Sequence, residues 1–173
     1  MEIDNIFFDM DGVLADFNGG VFEFTNFDGE IDKDQKNSDE IFGKLKDVPH
    51  FYFKLKPFGD MIDLFKQVHA KYGSKCQILT GIPKANRGMP TSSDDKRLWV
   101  KKYIGENVIV NIVYREEKKN FCKGKSSILI DDLAENINDW NKCGGTGILH
   151  VDAKSTENIL QKIGVIDEMK SMR

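Results

Sequence analysis

Cysteine is scarce in this chain and irregularly placed. Only three occur among 173 residues, Cys76, Cys122 and Cys143, far apart and without a CxxC spacing. That argues against a zinc ribbon or a disulfide framework and favours a reducing compartment. A basic excess is missing too. The formal net charge is −3, so no bulk positive charge is available to hold a nucleic-acid polymer. The basic run from Lys118 to Lys125 follows Glu116 and Glu117 and reads as a solvated loop. No apolar run approaches the ~20 residues of a membrane span. The first turn of sequence carries Glu2, Asp4, Asp9 and Asp11, unlike the basic start of a signal peptide, so a cytoplasmic location is expected. His50, His69 and His150 show no metal-ligand spacing and read as structural. Repeats and low-complexity segments are also lacking.

What is present fits a globular enzyme-sized unit. Hydrophobic residues make up 40% and charged residues 31%. The length suits one domain with a small insertion and a core that needs no staples. Ile3 to Phe8 reads as a short buried strand. Residues 18–56 then turn polar, rich in Asp, Asn, Lys and Gly, and read as a partly helical insertion. Pro57 opens a helix whose apolar positions Met61, Ile62, Phe65 and Val68 run to a stop at Gly73. Cys76 to Leu79, Val108 to Tyr114, Ser127 to Ile130 and Ile148 to Val151 give four more strands. Helices are expected after Ser92 or Ser93, with Leu98, Trp99 and Tyr103 as the apolar face, from Ala134 to Lys142, and from Thr156 to Met169. The glycines of "CGGTG" follow a helix and precede a strand. That is the wrong order for a dinucleotide loop, and they read as a helix stop. Alternating strands and helices imply an open parallel α/β sheet.

Three polar motifs directly follow strands. "FFDMDG" places Asp9 and Asp11 two residues apart, so that in an extended segment they share a face and repel. Thr80 ends "QILT", and Asp131 and Asp132 end "ILIDD". Each alone has an ordinary explanation as a turn or a helix cap. In a parallel sheet, however, all three gather at the carboxyl edge where ligands bind, and a divalent cation would relieve the clustered carboxylates.

"DMDGV", "ILTG", the lysines of "REEKK" and "ILIDD" come in the order of the four signature motifs of the haloacid dehalogenase-like hydrolase superfamily. The chain resembles it from Ile6 to about His150. "DMDGVLADFNGG" and "FYFKLKPFGDMIDL" are similar to the 5'(3')-deoxyribonucleotidase family within it. The resemblance implies a Rossmann-like core over residues 1–17 and 57–173, with a small helical cap, 18–56, inserted after the first strand. It also implies a magnesium-dependent phosphatase. Asp9 would be the nucleophile and Asp11 the general acid and base. Mg²⁺ would bind Asp9, Asp11 through its carbonyl, and Asp132, with Asp131 behind or as an alternate ligand. Thr80, the Gly81 N–H and a lysine would hold the phosphoryl group.

Some positions depart from the family pattern. Gly81 stands where a hydroxyl residue is common. The lysine can be Lys118 or Lys119, with Lys118 the better register and Lys123 and Lys125 further alternatives. The insertion contains no tryptophan, although the nucleotidases place an indole there. Phe17, with Phe51, Tyr52 and Phe53, supplies aromatic rings that either pack the insertion or stack a flat ligand; Phe17 and Phe53 are the binding candidates. The expected partner is a small phosphate monoester, foremost a nucleoside monophosphate, with a homodimer as an option. A sugar-phosphate or other metabolite phosphatase is the alternative within the same mechanism. A non-catalytic metal-dependent binding protein is the alternative outside it.

Overall fold

In the computed structural model, which describes residues 2–31 and 36–168, β1 (Asn5–Phe8) lies at the centre of a five-stranded parallel sheet. β2 (Cys76–Gly81) and β4 (Ser127–Asp131) flank it, and β3 (Val110–Val113) and β5 (Thr146–Leu149) form the edges, in the order β3-β2-β1-β4-β5. Central parallel strands are covered on both faces, which is why these segments read as near-continuous apolar runs. Their side chains alternate. Ile6, Phe8, Ile78, Ile128 and Ile130 face one core, and Phe7, Leu79 and Leu129 face a smaller one.

The helices cover these faces. α3 (Gly59–Tyr72) buries Met61, Ile62, Leu64, Phe65 and Val68 and stops at Gly73, where φ is +58°. α4 (Ser92–Tyr103) and α6 (Ala153–Lys162) add Trp99 and Leu160 to the same core. α5 (Ala134–Lys142) covers the other face with Ile137 and Trp140. Between β1 and α3 the chain forms α1 (Phe17–Thr25), α2 (Ser38–Leu45) and a 3₁₀ turn over Phe51–Lys54. Val21, Ile41, Leu45 and Phe51 of this segment join the main core rather than building their own. Asp16 caps α1 by accepting from the Gly19 N–H at 2.9 Å.

Several elements differ from the sequence reading. Ile3 is buried but precedes the first strand, and Pro57 sits in a bridge to Ala15 rather than inside α3. α4 buries Ser92, Asp95, Lys96, Trp99 and Val100, so Leu98 points outward and is 52% exposed. The glycines after α5 do end it, with Gly144 at φ +85°, but β5 begins at Thr146, inside the glycine-rich stretch. α6 starts and ends earlier than expected, and Met169 lies outside the described residues.

Candidate active site

β1, β2 and β4 are neighbours, so the residues at their carboxyl ends meet. Asp9 follows β1, and its N–H donates to the Ile130 carbonyl at 2.9 Å. Asp131 closes β4 and Asp132 follows. Gly12 turns the chain away at φ +80°, and a Cβ at that position would collide with the Asp132 carboxylate. Only glycine combines that backbone with that space.

Asp9 is 6% exposed and Asp131 is fully buried. Lys118 bridges them, donating from Nζ to Asp9 Oδ1 at 2.9 Å and to Asp131 Oδ2 at 2.8 Å. Asp131 also accepts from Asn136 Nδ2 at 3.1 Å and from the Leu133 N–H at 2.9 Å. Both of its oxygens are thus engaged. One carboxylate oxygen from each of Asp9, Asp131 and Asp132 lies within 4.8 Å of the others.

Three acids so close are costly to ionise together. Burial, then the charge of Asp131, holds the Asp9 carboxyl well above the usual carboxylate range, while Lys118 pulls the other way. Burial and Asp131 push Asp132 up to about 6. Burial opposes the charged form of Lys118, yet Asp9 and Asp131 outweigh it and raise its pKa. A hard divalent cation such as Mg²⁺ fits such an all-oxygen donor set.

A second buried lysine serves Asp11. Lys96, on α4, donates to Asp11 Oδ2 at 2.7 Å, to Thr80 Oγ1 at 2.8 Å and to the Gly81 carbonyl at 2.7 Å. Its ammonium also lies 4.4 Å from the centre of the Tyr52 ring. Asp11 Oδ1 is buried and has no partner among the described residues.

These groups floor a cavity of about 560 Å³. Asp9, Asp11, Lys118, Asp131 and Asp132 form its base, and Phe17, Ile41, Phe42 and Tyr52 form a wall from the β1–α3 segment. The Phe17 ring lies 6.4 Å from both Phe42 and Tyr52. Opposite, the loop after β2 contributes Ile82, Pro83 and Arg87.

Residues 2–159 match the family model of the 5' nucleotidase, deoxy (pyrimidine), cytosolic type C protein. The chain belongs to this nucleotidase family. Its members are phosphoric monoester hydrolases of the haloacid dehalogenase-like superfamily, and this chain is one of them. A protein of Vibrio phage KVP40 named for 5'(3')-deoxyribonucleotidase activity is 30% identical over 132 residues, 76% of this chain and 67% of the relative. The human mitochondrial 5'(3')-deoxyribonucleotidase is 28% identical over 142 residues, 72% of this chain and 60% of the relative. The fold matches that of a hydrolase from Streptococcus pneumoniae TIGR4, at a TM-score of 0.52 and 12% identity, over 93% of this chain and 100% of the other.

Not every residue singled out in the nucleotidase sequence sits where the sequence reading put it. The Asp11 carboxylate, expected to move protons while only its backbone carbonyl meets the metal, stands apart from the Asp9–Asp131–Asp132 oxygens and is held by Lys96. Thr80 is fully buried and does not line the cavity; its hydroxyl receives Lys96 from behind. Gly81 does line it. Lys118 is buried, not solvated, because the 3₁₀ turn Arg115–Phe121 points it inward, while Lys119, Lys123 and Lys125 are exposed. Phe53 faces away, toward Lys102 at 5.3 Å, since the 3₁₀ turn presents Tyr52 to the cavity instead. The histidines pack as expected: His50 bonds Asp95, His69 stacks on Phe65, and His150 bonds Thr156.

Lys96 and Asn136 were not foreseen. A signal for Lys96 exists: it stands three and four residues before Trp99 and Val100, on the apolar stripe of α4. A lysine on a buried stripe must find an anion.

Proposed function

We propose that this nucleotidase hydrolyses a deoxyribonucleoside monophosphate through an aspartyl-phosphate on Asp9, with Mg²⁺ as cofactor. The observation that carries the reading is the pairing of Asp9 with Lys118 beside the Asp131–Asp132 carboxylates, at the base of one cavity. Asp9 and Asp132, with the Asp11 carbonyl, would hold the cation, and Asp131 would steady the set from behind. When bound, Mg²⁺ offsets negative charge on the phosphate and the carboxylates.

Asp9 attacks phosphorus with the oxygen that Lys118 does not hold. As the phosphorus–oxygen bond to the nucleoside breaks, Asp11 gives its proton to the leaving oxygen. Oδ1 is the atom for this, since Lys96 occupies Oδ2. Asp11 then takes a proton from water as the water attacks phosphorus, which frees Asp9 and releases phosphate. Lys118 and the Gly81 N–H hold the phosphoryl oxygens during both steps. Residues 18–56 act as the cap, and the rings of Phe17, Phe42 and Tyr52 stack the base. The names of the phage and human relatives support the nucleotide over a sugar phosphate. The three free thiols suit a reducing, cytoplasmic setting, and no helix among the described residues is long and apolar enough to cross a membrane.

The test is phosphate release from a panel of nucleoside monophosphates and sugar phosphates, with Mg²⁺ and after chelation, for the native protein and Asp9→Asn. Nucleotide hydrolysis that chelation or Asp9→Asn abolishes supports the reading. Acid-stable phosphate trapped on another residue, or preference for sugar phosphates, overturns it.

A further inference from the structure

Among the described residues, two buried side-chain polar atoms lack a hydrogen-bond partner, Asp11 Oδ1 and Asn37 Oδ1. Both residues line the same cavity. Asp11 stands at its acidic base. Asn37 belongs to the β1–α3 segment, just before α2, beside Ser38, Asp39, Ile41 and Phe42, which also line the wall. Buried acceptors left unpaired are rare and call for a cause.

The amide orientation at Asn37 is fixed by its other end. Nδ2 donates to the Glu30 carbonyl at 2.6 Å. A carbonyl can only accept, so the amide cannot flip, and the free atom is an acceptor. Asn37 does not spend it as a helix cap either, since its side chain makes no capping bond to α2. What satisfies it must therefore bring a donor.

The geometry points to Asn37 Oδ1 as the specificity contact for the distal end of the substrate, accepting a hydrogen bond from an N–H on the edge of a nucleobase. This rests on the nucleotidase reading and adds to it the side-chain contact that reads the base. The ligand it describes is two-ended: a phosphate ester over Asp9 and Asp11, a flat body along Phe17, Phe42 and Tyr52, and an N–H donor at Asn37. Aromatic walls accept any base, because every base has a flat face. A single fixed acceptor does not, because a base presenting a lone pair or a methyl group there leaves the acceptor unpaired.

Matched substrates test this. The kcat/KM of the native protein is measured for dTMP against N3-methyl-dTMP and for dCMP against N4,N4-dimethyl-dCMP, and the same ratios are measured for Asn37→Ala. Methylation that removes the reading N–H is expected to cost about 10- to 100-fold in at least one native pair. In Asn37→Ala that ratio falls to near one. Equal rates within both native pairs overturn the inference, as does a methylation penalty that Asn37→Ala leaves intact. If Asn37→Ala fails to fold, as judged by its thermal melt, the native pairs alone decide. Failure of the underlying reading looks different: the native protein would then release phosphate from an aryl or sugar ester but from none of the four nucleotides.

Discussion

The Lys96 ammonium sits 2.7 Å from Asp11 Oδ2, its own side chain fully shielded from solvent while that of Asp11 stays 23% exposed. The pair therefore has an inside and an outside. Lys96 fixes Oδ2 of Asp11 from the core, and the other oxygen, Oδ1, has no partner among the described residues. Lys96→Met is expected to lower kcat by about 10²-fold, the scale of a misaligned general acid, with a smaller change in KM. Steady-state kinetics on one nucleotide check it; a loss confined to KM would refute the positioning role.

Lys118 and Lys119 are adjacent in sequence and opposite in environment. Lys118→Ala leaves Asp9 and Asp131 buried without their shared cation. It is expected to cost about 3–5 kcal/mol of stability, less whatever protonation of the acids recovers. It should also cost about 10²–10³ in rate. Lys119→Ala is expected to change stability by under about 0.5 kcal/mol. Urea melts and initial rates on both variants settle the register.

How much of this was readable from sequence follows from what each residue needed. The strands announced themselves because central parallel strands must be apolar on both faces, and the acids that end them gained meaning only together, since each alone could cap a turn or a helix. Lys118 was legible only through its place in a family pattern, since charge alone made its loop look solvated. Lys96 was hidden because a lysine in a polar helix reads as surface unless the stripe through Trp99 and Val100 is traced first. Phe53 and Tyr52 are neighbours, and no periodicity tells which of two adjacent residues in a short 3₁₀ turn faces a cavity. Thr80 lies inside β2, one residue before its end, but its partner lies on α4, a contact no local pattern encodes.

Asp132 gives the site a pH dependence with a definite sign. Its carboxyl is raised from 3.8 to about 6, so without metal its contribution to stability is fully present below pH 3.8 and is lost as pH rises through about 6. Mg²⁺ held there, as proposed, would displace that proton. The rise in melting temperature on adding Mg²⁺ is expected to be largest above pH 6 and to shrink below it. Thermal melts across pH 4.5 to 7.5, with and without Mg²⁺, check this; an equal Mg²⁺ effect across the range would contradict it.

Gly12→Ala adds a methyl group where the Asp132 carboxylate stands, on a backbone at φ +80°. The backbone alone costs about 1–2 kcal/mol. The expected result is a protein with native far-UV circular dichroism whose melting temperature no longer responds to Mg²⁺. A retained Mg²⁺ response would show that Asp132 has room to move.

Phe17 lies on the cavity wall against Phe42 and Tyr52. Phe17→Ala is expected to reduce kcat/KM for a nucleotide by about one to two powers of ten, and far less for a small aliphatic phosphate ester. Equal losses on both substrates would assign the ring to packing alone.

The central place of β1 also governs when the site comes into being. Its strand partners come from distant stretches of chain: Ile6 pairs with Cys76 on one side and Ile128 on the other. During synthesis the nucleophile emerges first and waits, because the acids that crowd it arrive only with β4. Pairings so remote in sequence close slowly, since chain entropy is spent before the contact is gained. A ribosome-bound chain truncated before Ser127 would thus carry Asp9 and Asp11 without the added charges of Asp131 and Asp132. The proposed cation site needs Asp131 and Asp132, which arrive with β4, so Mg²⁺ binding would report that β4 has joined β1.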